Sequence, residues 1–138
     1  MKKFMLLIAF LFAGTLLFAQ EKAKSQYLMI VRFKTNFKPS SNEEIQNNIK
    51  KWQEYMGNLA QSGDLVAGYR PTNQGATISG KDRSTKPIPY VSNDDLVSSI
   101  LIIKAENLEG AKAIANKCPV YELGGSVEVR AMMNVAGQ

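Results

Sequence analysis

Between Ser98 and Met133 three segments follow in close order: the apolar run SSILIIKA, the amphipathic NLEGAKAIANKCP and the alternating GGSVEVRAMM. The first is continuous enough to suit a central place in a sheet. In the second, Leu108, Ala111, Ile114, Ala115 and Cys118 recur at helical spacing as an inner stripe, with Asn107 placed to cap the first turn and Pro119 to end the helix. In the third, Val127, Val129 and Ala131 share one face, while Ser126, Glu128, Arg130 and Met132 share the other. Strand, helix and strand in this order constrain architecture far more tightly than chemistry.

The same order stands upstream. Tyr27 to Lys34, YLMIVRFK, is rich in β-branched and aromatic residues and reads as a strand. Met29, Val31 and Phe33 make a wholly apolar row suited to lie under helices, whereas Leu28, Ile30, Arg32 and Lys34 turn polar toward one end. Ser41 and Glu44 have capping-box spacing. Ile45, Ile49, Trp52, Met56 and Leu59 then recur at steps of four and three, which predicts an apolar helical stripe with Trp52 in the core. Gly63 is placed to end that helix. Asp64 to Tyr69 is a second strand stopped by Pro71, and ATIS a further extended piece followed by a turn at Gly80, Lys81 and Asp82. From Arg83 to Asp95 periodicity is lost, which reads as either a functional loop or a plain hairpin excursion. The economical fold is α+β: a ferredoxin-like βαββαβ unit with an antiparallel sheet and both helices on one face.

At 138 residues one domain fits and two do not. Residues 1–20 stand apart from it. Lys2 and Lys3 precede an apolar run to Phe18, then Ala19 and Gln20, the pattern of an export signal and too short for a stable membrane anchor. The expected destination is periplasmic or secreted, and the expected domain spans residues 26–134. Removing the leader leaves 15 basic and 12 acidic residues, a net of +3 against +5 for the whole chain. These charges are scattered, which argues against nucleic acid as a partner. Cys118, the single cysteine, has no internal bridging partner and is expected to be buried. The chain has no histidine, so imidazole catalysis and imidazole metal ligation are excluded.

The segment NKCPVYELGGSVEVRAMM resembles the C-terminal signature of YCII-related proteins, specifically the DGPF subgroup, and YLMIVRF and SGDLVAG resemble the corresponding earlier parts. The likeness runs from about Gln26 to Met133 and implies a homodimeric α+β barrel whose two sheets face each other across a cleft. Arg32, Glu128 and Arg130 would then look into the shared interior. The chain departs from the family pattern twice. The His and Asp pair proposed to act in some YCII-type proteins has no histidine here, and the nearest stretch to Asp-Gly-Pro-Phe is Thr85, Lys86, Pro87, Ile88, where only the proline fits.

Arg32 and Arg130 are candidates to hold a carboxylate or phenolate through paired guanidinium donors, with Glu128 a candidate base. The simpler reading of Arg32 and Glu128 is a cross-strand ion pair. Tyr90 is placed either to lid a pocket or to pack on its own loop. Asp94 and Asp95 alternate in direction along an extended chain and do not converge on a metal. No catalytic residue, metal site or cofactor motif is assigned. Three functions fit: a dimeric module binding a small organic ligand, a cofactor-independent enzyme acting on a phenolic or organic-acid substrate, and a purely structural role in the envelope through a partner protein.

Overall fold

The computed structural model describes residues 22–134, and the expected leader at residues 1–20 lies outside them. In chain order the elements are β1 (Ser25–Lys34), α1 (Asn42–Gln61), β2 (Leu65–Tyr69), β3 (Thr77–Ser79), β4 (Ser84–Lys86), β5 (Val91–Ser92), β6 (Asp95–Ala105), α2 (Leu108–Ala115), a 3₁₀ turn (Pro119–Leu123) and β7 (Ser126–Ala131). The main sheet has the order β2-β6-β1-β7, with β5 added alongside β6, and every pairing is antiparallel. This is the ferredoxin-like arrangement. Each half places a helix between two strands that are not neighbours, and the intervening strand comes from the other half.

Alternation decides which side chains form the core. Tyr27, Met29 and Val31 of β1 are buried opposite Ala131, Val129 and Val127 on one side and near Ile103 and Leu101 on the other. Met29, Val31 and Ile103 are wholly inaccessible. Tyr55 and Leu59 of α1, Ala111 and Ala115 of α2, and Cys118 and Val120 beyond it close over this face. Two buried alanines let α2 approach the sheet closely. Gly125 permits a second close approach, since a Cβ there would collide with the Arg32 carbonyl oxygen and the Val120 side chain.

The helices differ from their sequence-based description in instructive ways. Ser41 Oγ accepts from the Glu44 amide at 3.2 Å, as a capping residue should, but Glu44 reaches back to the amide and hydroxyl of Ser40 rather than to Ser41. The predicted stripe of α1 is also turned. Asn48, Tyr55 and Leu59 are its buried residues, whereas Ile45 and Ile49 are exposed, so the helix is rotated by roughly 50° from the expected setting, at 3.6 residues per turn. Asn48 provides the reason: its Nδ2 donates to the Pro119 carbonyl oxygen at 3.0 Å and to Glu122 Oε2 at 3.4 Å, tying α1 to the 3₁₀ turn. In α2, Leu108 is exposed and not part of the inner stripe. The helix closes at Ala115 with Asn116 as its cap, so Pro119 starts the 3₁₀ turn instead of ending the helix.

Residues 83–95, which lack periodicity, contain β4 and β5. β3 and β4 form a separate hairpin whose turn carries Gly80 and Arg83 at positive φ. A second hairpin joins β5 to β6 through Asn93 and Asp94, both left-handed, the two-residue primed turn that matches strand twist. Among the described residues no helix is long and apolar enough to cross a membrane.

Val129 lies opposite Met29 beneath the helices. Val129→Asp is expected to cost more than about 3 kcal/mol by placing an unpaired charge there. Urea denaturation followed by circular dichroism checks this, and a variant as stable as the parent would mean that the two faces of β7 are reversed.

Candidate functional site

Three of the four sequence-predicted ligand residues meet on the sheet face away from the helices. Arg32 lies opposite Ser126, and Glu128 opposite Ile30, so the two charges are diagonal neighbours on adjacent strands rather than directly opposed. Arg32 Nη2 stands 2.9 Å from Glu128 Oε2, and Arg130 Nε stands 3.7 Å from Glu128 Oε1. One carboxylate therefore sits between two guanidiniums, and the trio carries a net positive charge. The Arg130 side chain is 66% exposed, so most of its donors remain open.

Tyr90 does not join them. It is 71% exposed and immediately precedes β5, which lies beyond β6 and β1 from β7. Asp94 and Asp95 also go separate ways. The Asp94 carboxylate accepts from Asn36 Nδ2 at 3.0 Å, while Asp95 Oδ1, otherwise buried without a hydrogen bond, is ion-paired with Lys34 Nζ at 3.1 Å. Among the described residues no group of three or more His, Cys, Asp or Glu side chains is arranged to hold a metal ion.

The face carrying the charged trio is largely apolar. Leu28 and Ile30 of β1 and Val97, Ile100 and Ile102 of β6 lie on it in register, all half-buried by their neighbours in the sheet. Their polar border is the trio on one side and the Lys34–Asp95 pair at one end.

On the helix side lies a feature that sequence reasoning missed. Between α1 and the β2 end of the sheet runs an open groove of about 1060 Å³. Ile45, Ile49, Trp52 and Met56 form one wall, and Phe33, Leu96 and Leu101 lie across from it. The outlet of β2, from Tyr69 to Asn73, forms an end, and none of Arg32, Tyr90, Glu128 or Arg130 lines the groove. The available signal was the pair Ser98–Ser99, two hydroxyls interrupting an otherwise apolar central strand. Ser98 Oγ donates to the Val31 carbonyl oxygen at 3.3 Å, where the β1–β6 register shifts, and both serines line the groove.

These features define a ferredoxin-like α+β protein with a one-sided helical layer and an uncovered, partly charged sheet face. A profile of the YCII-related domain matches residues 26–135, and the chain belongs to that family. The match is to the family as a whole and does not reach the DGPF subgroup. A similar solved structure is that of 5-chloro-2-hydroxyhydroquinone dehydrochlorinase (TftG) from Burkholderia phenoliruptrix AC1100 in complex with 2,5-dihydroxybenzoquinone. It is 18% identical, with a TM-score of 0.40 over 77% of this chain and 93% of that one. No curated protein matches.

Cys118 is not part of either surface. It is 3% exposed, and burial raises its thiol from 9.0 to about 11, against a smaller opposing effect of a hydrogen bond with the Val120 backbone. Burial likewise raises the Tyr55 hydroxyl, which donates to the Ile114 carbonyl oxygen. A raised thiol pKa stabilises the fold fully below pH 9.0, and this contribution is lost as pH rises toward about 11. The parent should therefore lose stability more steeply across that window than Cys118→Ala, as read by urea midpoints at successive pH values. Equal slopes would mean the thiol is not desolvated.

Proposed function

We propose that the protein is an exported, homodimeric module that binds a small organic anion in a cleft between two facing sheets. The row Leu28, Ile30, Val97, Ile100 and Ile102 carries this reading. A sheet with two apolar faces needs a layer on each, and among the described residues both helices are spent on one side. A second copy related by a twofold axis would supply the missing layer with the same self-complementary surface. The β3–β4 hairpin adds support, since among the described residues it packs on no other element and its surroundings carry exposed Ile78 and Ile88. Export rests on the composition of residues 1–20.

Pairing two such faces would bring two copies of Arg32, Glu128 and Arg130 into one enclosed space. Each trio has one net positive charge, which favours an anionic guest, and Arg130 is the residue with donors to spare. Glu128 is engaged by both arginines, which favours binding over turnover of a phenolic or organic-acid substrate by a free carboxylate base.

Ile100→Lys is expected to halve the mass measured by sedimentation equilibrium while leaving the far-UV spectrum unchanged. A parent protein that sediments as a single subunit would remove the dimer. In a thermal-shift screen of small aromatic carboxylates, Arg130→Ala should abolish the largest ligand-induced shift seen with the parent. Retention of the full shift would take Arg130 out of the cleft.

A further inference from the structure

From the helix-side groove we infer a second ligand site, for an amphipathic anion with an elongated apolar body and a carboxylate at one end. It lies on the opposite side of the sheet from the proposed dimer cleft and does not depend on it. The apolar part follows from the walls. Ile45, Ile49, Trp52 and Met56 succeed one another along α1 over roughly 16 Å, at 1.5 Å per residue, and face sheet residues across the groove. Ile45 and Ile49 are 38% and 45% exposed, although they belong to the stripe that a helix normally buries. A volume of about 1060 Å³ lies just above the usual range for small-molecule pockets, roughly 300 to 1000 Å³, as suits an open groove.

The anionic end follows from one residue. Arg70 is the sole charged side chain lining the groove, and among the described residues it has no ion pair and no side-chain hydrogen bond. It follows Tyr69, whose register partner is Ile100, so Arg70 comes to the level of Ser99 on the neighbouring strand. Ser99 also lines the groove, and its hydroxyl has no partner among the described residues. A free guanidinium beside a free hydroxyl, at the end of an apolar trough, is a donor set for a carboxylate. A cation would meet the like charge of Arg70 there, and a neutral alcohol would gain no Coulomb attraction from it.

Trp52, the single tryptophan of the chain, lies in the groove wall, so its emission reports occupancy of this site alone. Titration with decanoate is expected to shift that emission to shorter wavelength and saturate, with decanol binding about tenfold more weakly and decylammonium weaker still. Arg70→Gln, at an exposed position, should weaken decanoate about tenfold and leave decanol unchanged. Ser99→Val should give a smaller loss in the same direction. The dimer-breaking Ile100→Lys variant should bind decanoate as the parent does, which separates this site from the cleft. No emission response to decanoate, equal affinity for decylammonium, or an Arg70→Gln variant that binds decanoate like the parent would each overturn the assignment.

Discussion

A single buried amide determines how the first helix sits, and much of the molecule's shape follows from it. Asn48 is 4% exposed, and its Nδ2 bridges α1 to the Pro119 carbonyl, more than seventy residues later in the chain. Leaving either group unpaired in that position would cost about 1–3 kcal/mol, comparable to the gain from burying one aliphatic side chain. The helix therefore turns its amide inward and gives up full burial of Ile45 and Ile49. Lys51, ion-paired with Glu122 of the same 3₁₀ turn, reinforces the setting at the surface. The groove is the space left by this compromise.

β1 imposes the complementary constraint. As the central strand it must satisfy both faces at once. Its odd-numbered residues Tyr27, Met29 and Val31 meet the helices, so its even-numbered ones necessarily form the middle of the other face. Leu28 and Ile30 make that middle apolar, and Arg32 places charge at its margin, where Glu128 neutralises part of it. The trio is thus first a device for ending an apolar patch on a strand that continues beyond it. The proposed anion binding would be a further use of the charge that pairing leaves over.

Much of this was legible in the chain. Strand alternation was decisive where one face packs under the helices, as with the buried Met29 and Val31 and the partly buried Val127 and Val129, because a one-residue error there would invert the whole pattern. Ser41 and Asn107 were readable as caps because their oxygens act within one turn of their own helix. What failed depended on partners remote in sequence. Periodicity ranks Ile49 above Asn48 for burial and carries no sign of a carbonyl at Pro119. Leu108 looked internal by the same logic, but it sits on the first turn of α2, where the buried side is already closed by Ala111 and Ala115. The Asn93–Asp94 turn was present as a dipeptide, yet β4 and β5 are too short to show a period of two. The charged trio was found because its members lie on adjacent strands, whereas the groove, built from α1, β2 and β6, was not.

The two surfaces take charge differently. On the open sheet face the guanidiniums stand beside a carboxylate, so any guest competes with Glu128 for Arg32 and finds Arg130 half-engaged. In the groove Arg70 has no such competitor among the described residues, and an entering anion breaks none of the pairs they form. Desolvating a lone guanidinium is costly, but Arg70 sits at the rim and remains exposed, so an anion gains its Coulomb attraction without full dehydration of the cation. The apolar wall then supplies affinity through area, at about 25 cal/mol per Å² covered. With no histidine in the chain, neither surface has a group that titrates near neutrality by its own nature. Recognition of the proposed anions on either face would therefore rest on permanent arginine charge and on shape, and it should persist over a wide range of pH.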